Sequence, residues 1–135
     1  MKTNFIPEVK ARTMKPEPNM ALISVTQLGD TFIYFQPGWE DILRIQFDDV
    51  DTMTLRSFHP AQAEQIIEFV ERNKDRDEIV VHCLAGISRS AAIAKFIAEK
   101  YNCEEWLSHF KEYNIYNKLV YRILNKTAES LLGPN

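Results

Sequence analysis

The chain is poor in cysteine, in positive charge and in long apolar runs, and each shortage removes a class of function. Its 135 residues hold two cysteines, Cys83 and Cys103, too few for a disulfide framework, so each thiol is expected to be reduced and to need its own explanation. Sixteen Lys and Arg against nineteen Asp and Glu leave a net charge of −3, without the basic surface of a dedicated nucleic-acid binder, so no nucleic-acid partner is expected. No apolar stretch approaches the roughly 20 residues of a membrane span. Met1 to Pro7 also lacks the apolar core of a secretion signal, and the expectation is a cytoplasmic protein without a membrane partner. No convincing set of metal ligands is present, so no metal and no cofactor are expected. With no repeat or low-complexity tract, 45% hydrophobic and 26% charged residues describe one soluble domain with a single core.

Residues 1–20, with Pro7, Pro16 and Pro18 and no clear periodicity, are expected to form an irregular N-terminal arm or partly extended strand, leaving 21–135 as the domain proper. Ala21 to Val25 is a short apolar run closed by Gly29-Asp30, as in a buried strand. Thr31 to Phe35 suggests a further strand stopped by Pro37-Gly38. Ile42 to Phe47 alternates and runs into an acidic loop, Asp48-Asp49-Val50-Asp51. From Pro60 the period becomes helical through Ala63, Ile66, Ile67 and Val70 as far as Asn73. Ile79-Val80-Val81 has the β-branched character of a parallel strand buried on both faces. A strong helix follows from Ser90 to Lys100, and Glu104 to Leu132 is expected to be helical in pieces, with a break near Asn114. The sum is an α/β domain with a central, mostly parallel sheet flanked by helices.

The informative stretch is Val81-His82-Cys83-Leu84-Ala85-Gly86-Ile87-Ser88-Arg89-Ser90, a loop between the buried strand and a helix. There, successive backbone N–H groups can converge on one point and the helix N-terminus adds its positive end, which makes an anion cradle. Gly86 supplies the backbone freedom such a nest needs, and Arg89 can fork two hydrogen bonds onto phosphate oxygens. A thiol at a helix N-terminus beside a guanidinium is shifted toward the nucleophilic thiolate.

His82-Cys83, five residues, then Arg89-Ser90, with Gly86 third after the cysteine, resembles the signature loop of the cysteine-dependent protein tyrosine phosphatase superfamily, in the wording of its small dual-specificity, prokaryotic or phage-type branch. Looser likeness extends over residues 21–125. The resemblance implies a protein tyrosine phosphatase-like fold with the phosphate loop between a buried strand and a helix. Cys83 is then the nucleophile that forms a cysteinyl-phosphate, while Leu84, Ala85, Gly86, Ile87, Ser88 and Arg89 bind the phosphate. Ser90 assists departure of the sulfur, and His82 orients the loop and tunes the thiol. The implied partners are a phosphoprotein substrate and phosphate or other oxyanion inhibitors, with no metal required.

The family protonates its leaving group from an upstream aspartate. Asp48, Asp49 and Asp51 all qualify by position, and alignment of the flanking residues favours Asp49, with Asp51 as alternative. Crowding of three carboxylates is expected to raise at least one of their pKa values. Asn114-Ile115-Tyr116-Asn117 stands where the family has Pro-Asn, with Tyr116 replacing the proline, and Asn117 is expected to brace the phosphate loop from behind. Cys103 and the run Trp106, Phe110, Tyr113 and Tyr116 are expected to pack, and His59 and His109 receive no function.

The implied activity is hydrolysis of phosphotyrosine, with room for phosphoserine and phosphothreonine. The alternatives are a phosphatase of phosphoinositides or RNA 5′-ends, and a catalytically weak phosphoprotein-binding module. Positions 84, 85, 87 and 88 carry no basic residue, which disfavours highly charged inositol headgroups. A sulfurtransferase or arsenate reductase is disfavoured by Arg89-Ser90 and by the lack of a nearby cysteine shuttle pair.

Overall fold

The computed structural model describes residues 1–104 and 112–134. Its centre is a four-stranded, all-parallel sheet in the order β1-β4-β2-β3, where β1 is Lys2–Pro7, β2 Met20–Thr26, β3 Asp41–Gln46 and β4 Glu78–Cys83. The helices are α1 (Glu8–Thr13), α2 (Pro60–Asn73), α3 (Arg89–Lys100) and α4 (Lys118–Leu132). Sheet and covering helices make the expected α/β architecture.

The two central strands show why uninterrupted apolar runs belong there. Every residue of β2 is buried, and its alternate side chains enter different cores. Ala21, Ile23 and Val25 join Ile79 and Val81 beneath α2, α3 and α4, whereas Met20 and Leu22 join Val80 beneath α1 and the chain around Phe35 and Trp39. α2 begins at Pro60 with His59 as its N-cap, the His59 backbone N–H donating to Gln62 Oε1 at 3.0 Å, and it packs Ala63, Ile66, Ile67, Phe69 and Val70 inward. In α3, Ala91, Ala92, Ala94 and Ala98 are fully buried, and their small side chains let the helix lie close to the sheet. Cys83 belongs to the larger core, so the loop that follows it springs from a fully packed strand end. Among the described residues no helix is long and apolar enough to cross a membrane.

Two local expectations are corrected. Of the two readings of the first 20 residues the extended one holds, and the irregular arm is corrected: Lys2–Pro7 pairs in register with Glu78–Cys83 as a full edge strand, and Glu8–Thr13 is a short helix. The strand escaped its pattern because only Thr3 and Ile6 are buried, one of them polar. Thr31 to Phe35 is a loop, and side chains take carbonyls that a ladder would have used. Arg44 Nη1 donates to Ile33 O at 2.8 Å and Gln46 Nε2 to Asp30 O at 2.7 Å, while the Arg44 guanidinium lies 5.5 Å and 5.0 Å from the Phe32 and Phe35 ring centres.

Candidate active site

Cys83 ends β4 and Arg89 begins α3, so residues 84–88 form the strand-to-helix loop that the sequence predicts. Leu84 and Ile87 turn their side chains out, 64% and 48% exposed, whereas Gly86 and Arg89 are buried. Gly86 has φ +70°, and a Cβ built on it would lie 2.4 Å from Pro7 N and 2.6 Å from Ile6 C. The loop therefore rests directly on the backbone where β1 becomes α1, and only glycine permits both the conformation and the approach. This support from the first eight residues was invisible in the sequence.

Three carbonyls of the loop are held from outside. Leu84 O accepts from Glu8 N (3.2 Å), Ile87 O from the Tyr113 hydroxyl (2.5 Å), and Ser88 O from Asn117 N (3.1 Å). Among the described residues all peptide bonds are trans, so in each peptide unit the N–H points opposite to the carbonyl. The N–H groups of Ala85, Ser88 and Arg89 are thus turned away from these anchors. Unengaged amides on a nest at a helix N-terminus are what an oxyanion requires.

Side chains complete the cradle. Cys83 Sγ is 3.0 Å from Ser90 Oγ, both groups being buried. Arg89, 6% exposed, donates from Nη1 to Phe47 O at 2.8 Å, while its buried Nε has no partner among the described residues. His82 is fully buried, with Nε2 2.6 Å from Ser24 Oγ on β2 and its ring edge-on to Phe35. Burial lowers its pKa to about 4, which keeps the imidazole neutral. Its side chain thereby stitches β4 to β2 behind the loop.

The three aspartates are sorted by their partners. Asp48 is consumed by structure: its Oδ2 lies 2.5 Å from Arg56 Nε, and Oδ1 accepts from Leu28 N at 3.3 Å. The hydrogen bond from Arg56 holds its carboxyl below the usual range. Asp49 faces the phosphate loop, and its Oδ1 accepts from Ser88 Oγ at 2.9 Å and from Asn117 Nδ2 at 2.8 Å. Asp51 is exposed and, with Asp49, Ser88, Ile115, Tyr116 and Lys118, lines a cleft of about 630 Å³.

Asn117 differs from expectation in which atoms do the work. Its side-chain amide secures the acidic loop, at Asp49 and at Val50 O (3.0 Å), while its backbone N–H secures Ser88. Its Oδ1 also caps α4 by accepting from Val120 N at 3.0 Å. Tyr113, expected only to pack, reaches the phosphate loop through its hydroxyl and lies 5.4 Å from Phe5, ring centre to ring centre. No motif marks it, because its partner is a carbonyl 26 residues away. Cys103 is buried in the larger core with Sγ 3.9 Å from Ile97 O. Tyr116 stacks edge-on with Tyr121 beneath Lys118, whereas Trp106, His109 and Phe110 lie outside the described residues.

No protein-family model and no curated protein matches the sequence. Solved structures do. The chain is similar to human DUSP28, at TM-score 0.62 and 17% identity, over 96% of this chain and 93% of that one. The chain has a dual-specificity-type cysteine phosphatase fold. It is also similar to PTPMT1 in complex with PI(5)P, at TM-score 0.57 and 14% identity over 97% and 92% of the two chains. A human tyrosine phosphatase-like serine/threonine/tyrosine-interacting protein matches at TM-score 0.50 and 21% identity, over 84% and 80%.

Proposed function

We propose that this protein is a phosphomonoesterase acting on phosphorylated protein side chains, phosphotyrosine above all and phosphoserine and phosphothreonine in addition. The observation that carries the proposal is Arg89, buried, with Nη1 held by Phe47 O and Nε unpartnered, beside a loop of outward-anchored carbonyls. A buried, unsatisfied guanidinium N–H is costly unless a ligand completes it, and phosphate does so.

In this mechanism the Cys83 thiolate attacks phosphorus in line, the S–P bond forms and the P–O ester bond breaks. Asp49 delivers a proton to the departing oxygen. Both donors to Asp49 converge on Oδ1, so Oδ2 is the oxygen left to carry that proton. Arg89 and the loop amides stabilise the equatorial oxygens as charge develops. In the second half, water attacks phosphorus, the Asp49 carboxylate accepts its proton, and sulfur leaves as thiolate. Ser90 Oγ, 3.0 Å from Sγ, donates to the emerging charge.

The alternatives stand behind this reading. A phosphoinositide substrate is answered by the absence of any basic side chain at 84, 85, 87 or 88, and a binding-only module by the presence together of Cys83, Arg89 and Asp49. The test is hydrolysis of an aryl phosphate, with chelator present, by wild type and Cys83→Ser, followed by phosphopeptide, phosphoinositide and RNA 5′-phosphate panels. Wild-type turnover abolished in Cys83→Ser is the expected result. An inactive wild type or an active serine variant overturns the mechanism, and preference for a lipid or RNA substrate overturns the substrate class.

A further inference from the structure

The phosphate loop has three outside anchors, and two of them are backbone groups of ordinary structure: Glu8 N at the start of α1 and Asn117 N at the start of α4. The third is a side chain. Tyr113 comes from the irregular segment before α4, lays its ring against Phe5 of β1, and places its hydroxyl on Ile87 O. The peptide joining Ile87 to Ser88 is trans, so a donor holding Ile87 O on one side fixes the Ser88 N–H on the other. Gly86, with φ +70°, immediately precedes this unit, and neighbouring glycine lowers the resistance of a loop to rotation of the next peptide plane. Ile87 itself adds little restraint, since its side chain is 48% exposed. The loop therefore needs an external hold at Ile87 O more than at Leu84 O, where the chain is still leaving β4.

We infer that Tyr113 is a positioning residue of the phosphate cradle: by hydrogen-bonding Ile87 O it orients the Ser88 N–H toward the bound phosphoryl group. The inference rests on the phosphatase reading of the Cys83 loop and names a residue outside its signature. Tyr113 also lies within the field of the nucleophile. Burial raises its pKa, and negative charge on Cys83 raises it further, so the hydroxyl keeps the proton it donates. Its hydroxyl acts through the loop carbonyl.

Tyr113→Phe deletes the hydroxyl and keeps the ring against Phe5, so the fold and any contact between ring and substrate are retained. The experiment measures inorganic phosphate binding by calorimetry and the Ser88 amide resonance by ¹⁵N-resolved NMR during the same titration, on wild type and variant. Loss of one oriented donor is expected to weaken phosphate by about two- to tenfold. The phosphate-induced shift of the Ser88 amide is expected to shrink, while the Ala85 amide responds as in wild type. Unchanged affinity in Tyr113→Phe overturns the inference, as does weaker binding with an unaltered Ser88 response. If wild type neither binds phosphate nor hydrolyses an aryl phosphate, the phosphatase reading fails and this role falls with it. That result is distinct from a wild type that binds and a variant that matches it.

Discussion

Replacing Gly86 by alanine tests whether the N-terminal strand and helix are part of the catalytic apparatus. Two costs are separable. The backbone cost arises from φ +70°, a left-handed conformation that disfavours an L side chain by roughly 1–2 kcal/mol. The steric cost arises because the new Cβ would stand 2.4 Å from Pro7 N, against the 3.4 Å at which ordinary contact begins, so 3.4 − 2.4 = 1.0 Å of movement is required. The obstruction is backbone on the pairing edge of β1, and no rotamer change relieves it. A displacement of that size at a reacting centre costs on the order of 100-fold in rate. Gly133 supplies the control: it has φ +85° with nothing within 4 Å of its notional Cβ, so Gly133→Ala bears the backbone cost alone. Urea denaturation and kcat/KM on an aryl phosphate are measured for both. Both variants should lose stability, but only Gly86→Ala should lose activity on the order of 100-fold. Equal turnover by the two variants would refute the idea that contact with Pro7 sets the loop.

Further outcomes follow from the site. The unfolded His82 imidazole protonates near 6.5 and the folded one only at about 4, so between those values the unfolded state holds more protons and stability falls as pH falls. The loss approaches about 3 kcal/mol at the acid end, and a urea midpoint that fails to drop with acid in wild type, or drops as steeply in His82→Gln, would contradict it. Asp49→Ala should slow an alkyl phosphate more than an activated aryl phosphate, because the poorer leaving group depends on protonation, whereas Asp48→Ala, which removes the partner of Arg56, should slow both alike. A larger alkyl-selective loss in Asp51→Ala would move the acid there. Asn117→Asp keeps an oxygen to cap α4 but sets a second carboxylate against Asp49 and removes the donor to Val50 O, so both melting temperature and hydrolysis should fall; Asn117→Ala should lose the cap, about 1 kcal/mol, without the repulsion.

The elements legible in the sequence are those whose burial is continuous. Ile79-Val80-Val81 and Ala21 to Val25 are apolar on both faces because both faces are covered, and the helical period from Ala63 to Val70 survives because one stripe meets one core. Lys2 to Pro7 left no such trace. An edge strand beside β4 needs only two buried side chains, and the hydrogen bonds of its parallel ladder come from backbone, which any residue provides. Thr31 to Phe35 failed in the opposite sense: β-propensity is real there, but Arg44 takes the Ile33 carbonyl and Gln46 that of Asp30 just before it.

The site divides along the same line. Cys83, Gly86, Arg89 and Ser90 lie within eight residues, and their spacing alone brings thiol, cradle and guanidinium to one strand-to-helix turn, because covalent geometry leaves short segments few alternatives. The amino-acid sequence also determined that the layers would be α/β. Which aspartate faces the loop was decided only by tertiary structure: Arg56 claims Asp48, whereas Ser88 and Asn117 claim Asp49. So were the supports from Pro7, Glu8, Tyr113 and Asn117. Each meeting involves a backbone atom of the loop and a residue far away in the chain, and a carbonyl or an N–H carries no side-chain signature by which such a meeting could be foreseen.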